Sequence, residues 1–348
     1  PMSVPAVKRT ILFSLGLLLL LATVLSLALG PVSIPFTDAI GALLRPVTGW
    51  SVAADTQLIV EHIRLPRTLM GILIGATLAL TGAAMQGLFR NPLADPALIG
   101  VSSGAALGAA MVIVLGGVWL AALPAALTPY TQAAGAFAGA LLTTWLVYRL
   151  GSSAQGVSMA SMLLAGVAIA ALSAAVVGLL TYIADDAMLR ALTFWNLGSL
   201  GAASYDRVGM LVLCCGLVWW RLPRQARALN ALLLGESEAR HLGVEVERVK
   251  RELVLLTALG VGAAVAAAGL IGFVGLVVPH LVRLMLGPDH RQLLPACMLL
   301  GAALLLLADV AARLLVAPAE LPLGILTALL GAPFFIALLM RMQRRGGL

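Results

Sequence analysis

Uncharged stretches of about 20 residues, long enough to cross a bilayer core of about 30 Å as helices, recur along this whole 348-residue chain. Lipid offers no partners to a backbone N–H or C=O, so a segment crossing it satisfies its own polar groups as a helix or sits in a closed barrel. The apolar runs are continuous rather than alternating, which selects helices. They predict ten, at about 9–29, 66–89, 94–115, 131–149, 158–183, 206–221, 252–271, 273–286, 292–315 and 323–341. The first run, behind Lys8 and Arg9, outlasts the roughly 7–15 apolar residues of a secretion signal, and no small-residue cleavage motif closes it. It reads as a membrane helix. Charged residues make up 11% of the chain, against about a quarter in soluble domains, so little is left for a unit in water. The fold class is an all-α polytopic membrane bundle, and residues 1–348 read as a single domain.

Lipid gives helices no hydrophobic reason to associate, so close approach through small residues has to hold such a bundle together. Gly71 and Gly75, four residues apart in a predicted helix, are placed for that purpose.

The net charge of +7 could suggest nucleic acid, but the basic residues are scattered between apolar runs instead of forming a stripe. Their distribution is better explained by sidedness, since Lys and Arg are retained on the cytoplasmic side. With both termini inside, 16 of the 22 basic residues fall on cytoplasmic segments, and six lie outside: Arg45, Arg64, Arg67, Arg190, Arg207 and Arg313. Cys214, Cys215 and Cys297 show neither disulfide-framework nor metal-ligand spacing, and no metal site is expected.

The longest charged loop, about 222–251, is cytoplasmic in this topology. Within it, Gly235 and Gly243 bracket Glu236, Ser237, Glu238, Arg240, His241 and Leu242. Acids first and bases last suit the dipole of a short helix, and two short helices across the membrane face are expected.

Candidate chemistry is sparse. Gly100-Val101-Ser102-Ser103-Gly104 matches G-x-S-x-G, but a nucleophile elbow needs a strand before its serine, and an apolar helix surrounds this one. No catalytic residue is assigned. His280 follows Pro279 and is placed to satisfy a carbonyl that the proline leaves without its helix partner. Asp309 is an ionisable group inside a membrane segment, hence a functional hypothesis. Arg313 at i+4 makes an internal ion pair the simpler reading, with a proton-coupled secondary transporter as the rival. A phosphate-binding loop needs a lysine beside a glycine run, and neither Lys8 nor Lys250 has that context. If transport is ATP-driven, the ATPase is another chain.

Several motifs taken together, Arg64-Leu65-Pro66-Arg67-Thr68, Gly82 through Pro96, Gly235 through Gly243, Gly272 through His280 and Glu320-Leu321-Pro322-Leu323-Gly324, resemble the permeases of type II ABC importers for iron siderophores, haem and vitamin B12, over about residues 61–341. The resemblance implies a homodimer of ten-helix subunits in the bacterial inner membrane, two cytoplasmic ATPase subunits that bind the ATP, and a periplasmic binding protein. No permanently bound cofactor is implied.

It also implies roles for residues. Arg64, Arg67 and Arg313 would receive acidic groups of the binding protein. The two short helices at about 229–243 would be the coupling helices against the ATPase, with Gly235 to Gly243 as the matching segment, Glu236, Glu238 and Arg240 in polar contact and Leu242 as apolar anchor. Asn91 and Leu93, with Ser158, Met159, Ala160 and Ser161, would border the inner gate. Met159 and Ala160 stand where the vitamin B12 permease has hydroxyl residues, and residues 189–201 are most similar to haem permeases. Haem is therefore the expected cargo, with a ferric siderophore or vitamin B12 as alternatives. His62, near Glu61 and Arg64, offers an imidazole to haem iron, although a path that must release its cargo gains nothing from strong coordination.

Overall fold

The computed structural model describes residues 4–49, 52–119, 122–154 and 156–344; Arg345, counted in the charge bias, and both chain ends lie outside them. The chain runs through α1 (Val4–Ala28), α2 (Phe36–Thr48), α3 (Ala54–Leu58) and a π-helical turn, Ile59–Arg64, into α4 (Leu65–Leu88). A 3-10 turn, Pro96–Ile99, precedes α5 (Val101–Trp119), and α6 (Thr128–Leu150) leads to a two-stranded hairpin, β1 (Ser152–Ser153) with β2 (Gly156–Val157). Then come α7 (Met159–Ile183), α8 (Asp186–Leu197), α9 (Tyr205–Arg221), α10 (Ala226–Leu234), α11 (Glu236–His241), α12 (Val246–Ala268), α13 (Val274–Leu286), α14 (His290–Leu314) and α15 (Leu323–Arg344).

All ten predicted helices are present, as α1, α4 to α7, α9 and α12 to α15. Among the described residues, six helical spans are long and apolar enough to cross a membrane: 7–28, 54–88, 128–150, 159–183, 246–268 and 290–314. The apolar parts of α5, α13 and α15 are shorter. α13, with 13 residues, rises about 20 Å at 1.5 Å per residue and does not cover a bilayer core alone. The segment before it is irregular, with Gly269 and Phe273 both at positive φ.

Two helix edges differ from those expected. The helix expected at 94–115 breaks at Gly100, whose φ of +82° ends the 3-10 turn before α5 starts. The one expected from 252 starts at Val246. α2 and α8 were not anticipated; α2 turns Ala39 and Ala42 inward against Ala28 and Val60.

α4 is the axis of the bundle, with 21 of its 24 residues buried, while α7 buries 5 of 25 and shows Leu164, Val167, Leu172 and Leu179 outward. Backbone contact explains how tightly α4 is surrounded. A Cβ on Gly75 would stand 2.4 Å from the Gly301 carbonyl oxygen of α14, and one on Gly82 would stand 2.0 Å from that of Gly275 in α13. α5 and α6 meet the same way, Gly104 on Gly139 and Gly108 on Gly135. These are the small-residue crossings that lipid-embedded helices need.

Candidate functional site

α4 and α14 define two ends of the molecule. α4 carries Arg67 in its first turn and is followed by Asn91 after its last, about 35 Å away at 1.5 Å per residue. α14 starts at His290, against Gly87 near the end of α4, and ends beside Arg313. The expected docking, coupling and gate residues divide between these two ends.

At the Arg67 end the three arginines expected to meet a binding protein are gathered together and buried, at 4%, 7% and 3% exposure for Arg64, Arg67 and Arg313. Arg67 Nε and Nη2 donate to the Asp309 carboxylate at 2.9–3.1 Å, and Nη1 and Nη2 donate to Glu320 at 2.9 and 3.0 Å. Arg313 pairs with Asp309 at 3.1 Å, as its i+4 spacing suggested. Asp309 is 1% exposed, so its charge is neutralised on two sides.

The other arginine edges close the end of α1. The last carbonyls of a helix lack intrahelical donors and carry its negative dipole end. Arg64 Nη1 donates to the carbonyls of Leu27 and Ala28 at 2.7 and 2.5 Å, and Nη2 to Val32. Arg313 donates to Leu29 at 2.9 Å and to Ser26 at 3.2 Å. Gly30 leaves room for this, since a Cβ there would lie 2.9 Å from Arg64 Nη2. His62, by contrast, is exposed.

At the opposite end the two expected short helices are present as α10 and α11. Glu236 and Glu238 occupy the first turn of α11, and Arg240 and His241 its last. Gly235 joins the helices at φ +124° and Gly243 follows at +81°. Ser237, Glu238, Arg240 and His241 are exposed, as is Leu242 at 64%. Glu236 turns inward to Lys250 Nζ at 2.8 Å. α10 is clamped to α14 through Asn230, whose amide donates to Asp289 at 2.7 Å and whose carbonyl accepts the His290 N–H at 2.9 Å. That amide donor holds the Asp289 carboxyl below its usual range.

The candidate gate residues border this same end. Asn91 accepts the Leu93 N–H at 2.9 Å, and both residues are exposed. Ser158 caps α7 by accepting the Ser161 N–H at 3.2 Å; Met159 is half-buried and Ala160 exposed. The 3-10 turn after Asn91 touches α7 directly, a Cβ on Gly166 falling 1.9 Å from the Leu98 carbonyl oxygen.

Ser102 follows a 3-10 turn, not a strand, so the elbow geometry is missing. His280 lies edge-on to Phe334 at 5.8 Å, and its Nε2 has no hydrogen-bond partner among the described residues; the carbonyl it was expected to satisfy is not its partner. Glu320 as a partner of Arg67, and Lys250, are functional residues that the sequence alone does not single out. For Lys250 a local signal existed, since Glu247 stands three residues before it on the same helix.

Residues 18–341 match the FecCD transport family. The chain is 46% identical over 342 residues to the hemin transport system permease protein HmuU of Yersinia pestis, covering 95% of this chain and 96% of that protein. It is 41% identical over 339 residues to the vitamin B12 import system permease protein BtuC of Klebsiella pneumoniae, covering 97% and 96%. A solved structure described as an inward-facing conformation of a metal-chelate type ABC transporter matches with a TM-score of 0.81 at 35% identity, covering 96% of this chain and 99% of that one.

Proposed function

The chain belongs to the FecCD transport family, and from that premise we propose that it is the permease subunit of an ATP-binding-cassette importer that carries haem across the bacterial inner membrane. The observation that carries the choice of cargo is the 46% identity to a hemin permease along almost the whole of both chains. With no phosphate-binding lysine loop in its sequence, the subunit takes its force from two cytoplasmic ATPase subunits. Two copies of it form the path, and a periplasmic haem-binding protein delivers the cargo.

In this reading the charge bias sets α10, α11 and both termini in the cytoplasm. The binding protein docks over Arg64, Arg67 and Arg313. With Asp309 and Glu320 that cluster holds three positive and two negative groups, a net +1 (3 − 2), which favours an acidic lobe. Glu320 is its open member, with 36% of the side chain exposed. The ATPase receives Glu238, Arg240 and Leu242, within the coupling segment Gly235 to Gly243. Asn91, Leu93 and Ser158 to Ser161 border the inner gate, where Met159 and Ala160 give an apolar edge suited to a flat macrocycle.

Vitamin B12 is the second reading, favoured by the 41% identity to BtuC. Uptake of haem, cyanocobalamin and a ferric siderophore by one reconstituted complex separates the readings. Haem uptake exceeding the others by about tenfold or more is expected, and an excess of cyanocobalamin uptake transfers the assignment.

A further inference from the structure

Lys250 and Lys8 are the two lysines among 22 basic residues, and Lys250 is buried at 1% exposure in the second turn of α12. An ammonium has three N–H donors, and here each has an acceptor. Lys250 Nζ donates to Glu236 of α11 at 2.8 Å, to the Val157 carbonyl at 2.8 Å and to Glu247 at 3.2 Å. Glu247 uses its other oxygen to accept the Val157 N–H at 2.8 Å. Both polar groups of the Val157 backbone are therefore held from α12. Gly156 keeps the space open, for a Cβ there would stand 2.9 Å from the Glu247 carboxyl carbon. Arg240 completes the cluster on its exposed side, 3.4 Å from Glu247, so two cations face two carboxylates.

What this cluster joins gives it meaning. Val157 ends the hairpin, and the next residue, Ser158, is the N-cap of α7. Glu236 opens α11, which carries the exposed Glu238 and Arg240 and is followed by the exposed Leu242. A buried ammonium gives up a carboxylate only at high cost, so α11, the start of α12 and the entry to α7 are bound into one linkage. We propose that Lys250 is a positioning residue that carries displacement of α11 into the first turn of α7, so that closure of the ATPase moves Ser158 to Ser161. This rests on the coupling role given to α11 above.

The test uses the full complex of this chain, its ATPase and its binding protein in proteoliposomes, measuring assembly, ATP hydrolysis and haem uptake separately. Lys250→Met is expected to assemble at the wild-type ratio and to hydrolyse ATP within about twofold of wild type, while losing haem uptake by about tenfold or more, inside the span of ordinary site-to-site coupling. Lys250→Arg, which keeps the charge, is expected to recover most of the uptake. Wild-type uptake in Lys250→Met overturns the proposal, and so does a loss of uptake that only tracks lost assembly or hydrolysis, since that is the mark of a static brace. If the Met variant does not fold, Lys250→Gln, which keeps an N–H for Val157 but drops the charge, is read against the same outcomes. Wild-type complex that takes up haem without its ATPase overturns the importer reading before any variant is compared, and the linkage with it.

Discussion

Arg67 and Asp309, 242 residues apart in the chain, are joined by three hydrogen bonds, from Nε to both carboxylate oxygens at 3.1 Å and from Nη2 to Oδ1 at 2.9 Å. This bidentate grip fixes the start of α4 to the end of α14, and Asp309 also holds Arg313. The carboxylate compensates two buried guanidinium groups at once. Its role is that of a counter-charge, which leaves it poorly placed to relay protons.

Asp309→Asn is expected to destabilise the protein by about 3–5 kcal/mol, the usual range for leaving a buried charge unpaired. Thermal unfolding in detergent checks this. The paired change Arg67→Leu with Asp309→Leu is expected to be destabilising too, because it leaves the buried Arg313 without its carboxylate partner.

Glu320→Gln is expected to tighten binding-protein docking. Glu320 is the more exposed of the two carboxylates paired with Arg67. Removing it frees one edge of Arg67 and raises the net positive charge, and a gain of about threefold to tenfold in affinity at low salt is expected, fading as salt screens it. Titration of the reconstituted permease with the binding protein measures it, and weaker binding would refute the docking assignment.

Leu242→Asp is expected to weaken co-purification of the ATPase by about 2 kcal/mol or more, the range of an interface anchor, while leaving the thermal stability of the isolated permease unchanged. Leu242 is 64% exposed, so its replacement costs the subunit little by itself.

Gly82→Val is expected to cost about 1–3 kcal/mol or more through overpacking, because the added Cβ would stand 2.0 Å from a backbone oxygen of α13. Gly117→Val, at a position with open space around it, is the control, and a comparison of their melting temperatures checks the pair.

The ten helices were legible because each continuous apolar run is a local property, fixed by the cost of bringing unpaired backbone into lipid. The dipole-ordered charges of α11 were local as well. What was not legible depends on residues distant in the chain. Arg67 finds Glu320 across 253 positions and Lys250 finds Val157 across 93, and no spacing rule connects them. The break at Gly100 is not legible because a single glycine between apolar residues, as in Ile99-Gly100-Val101, reads equally well as continuous helix, whereas only the positive φ separates the 3-10 turn from α5. The burial of Arg64 and Arg313 follows from the α1 carbonyls they cap, a demand that appears only once the end of α1 is brought beside α14.

The central claim is that this bundle moves its cargo only when another protein supplies force through α10 and α11. Haem uptake into proteoliposomes holding the purified chain, with and without its ATPase and ATP, tests it most directly. Uptake that requires both and persists with a protonophore present is the predicted result; uptake by the purified chain alone, with no nucleotide-hydrolysing partner, contradicts it.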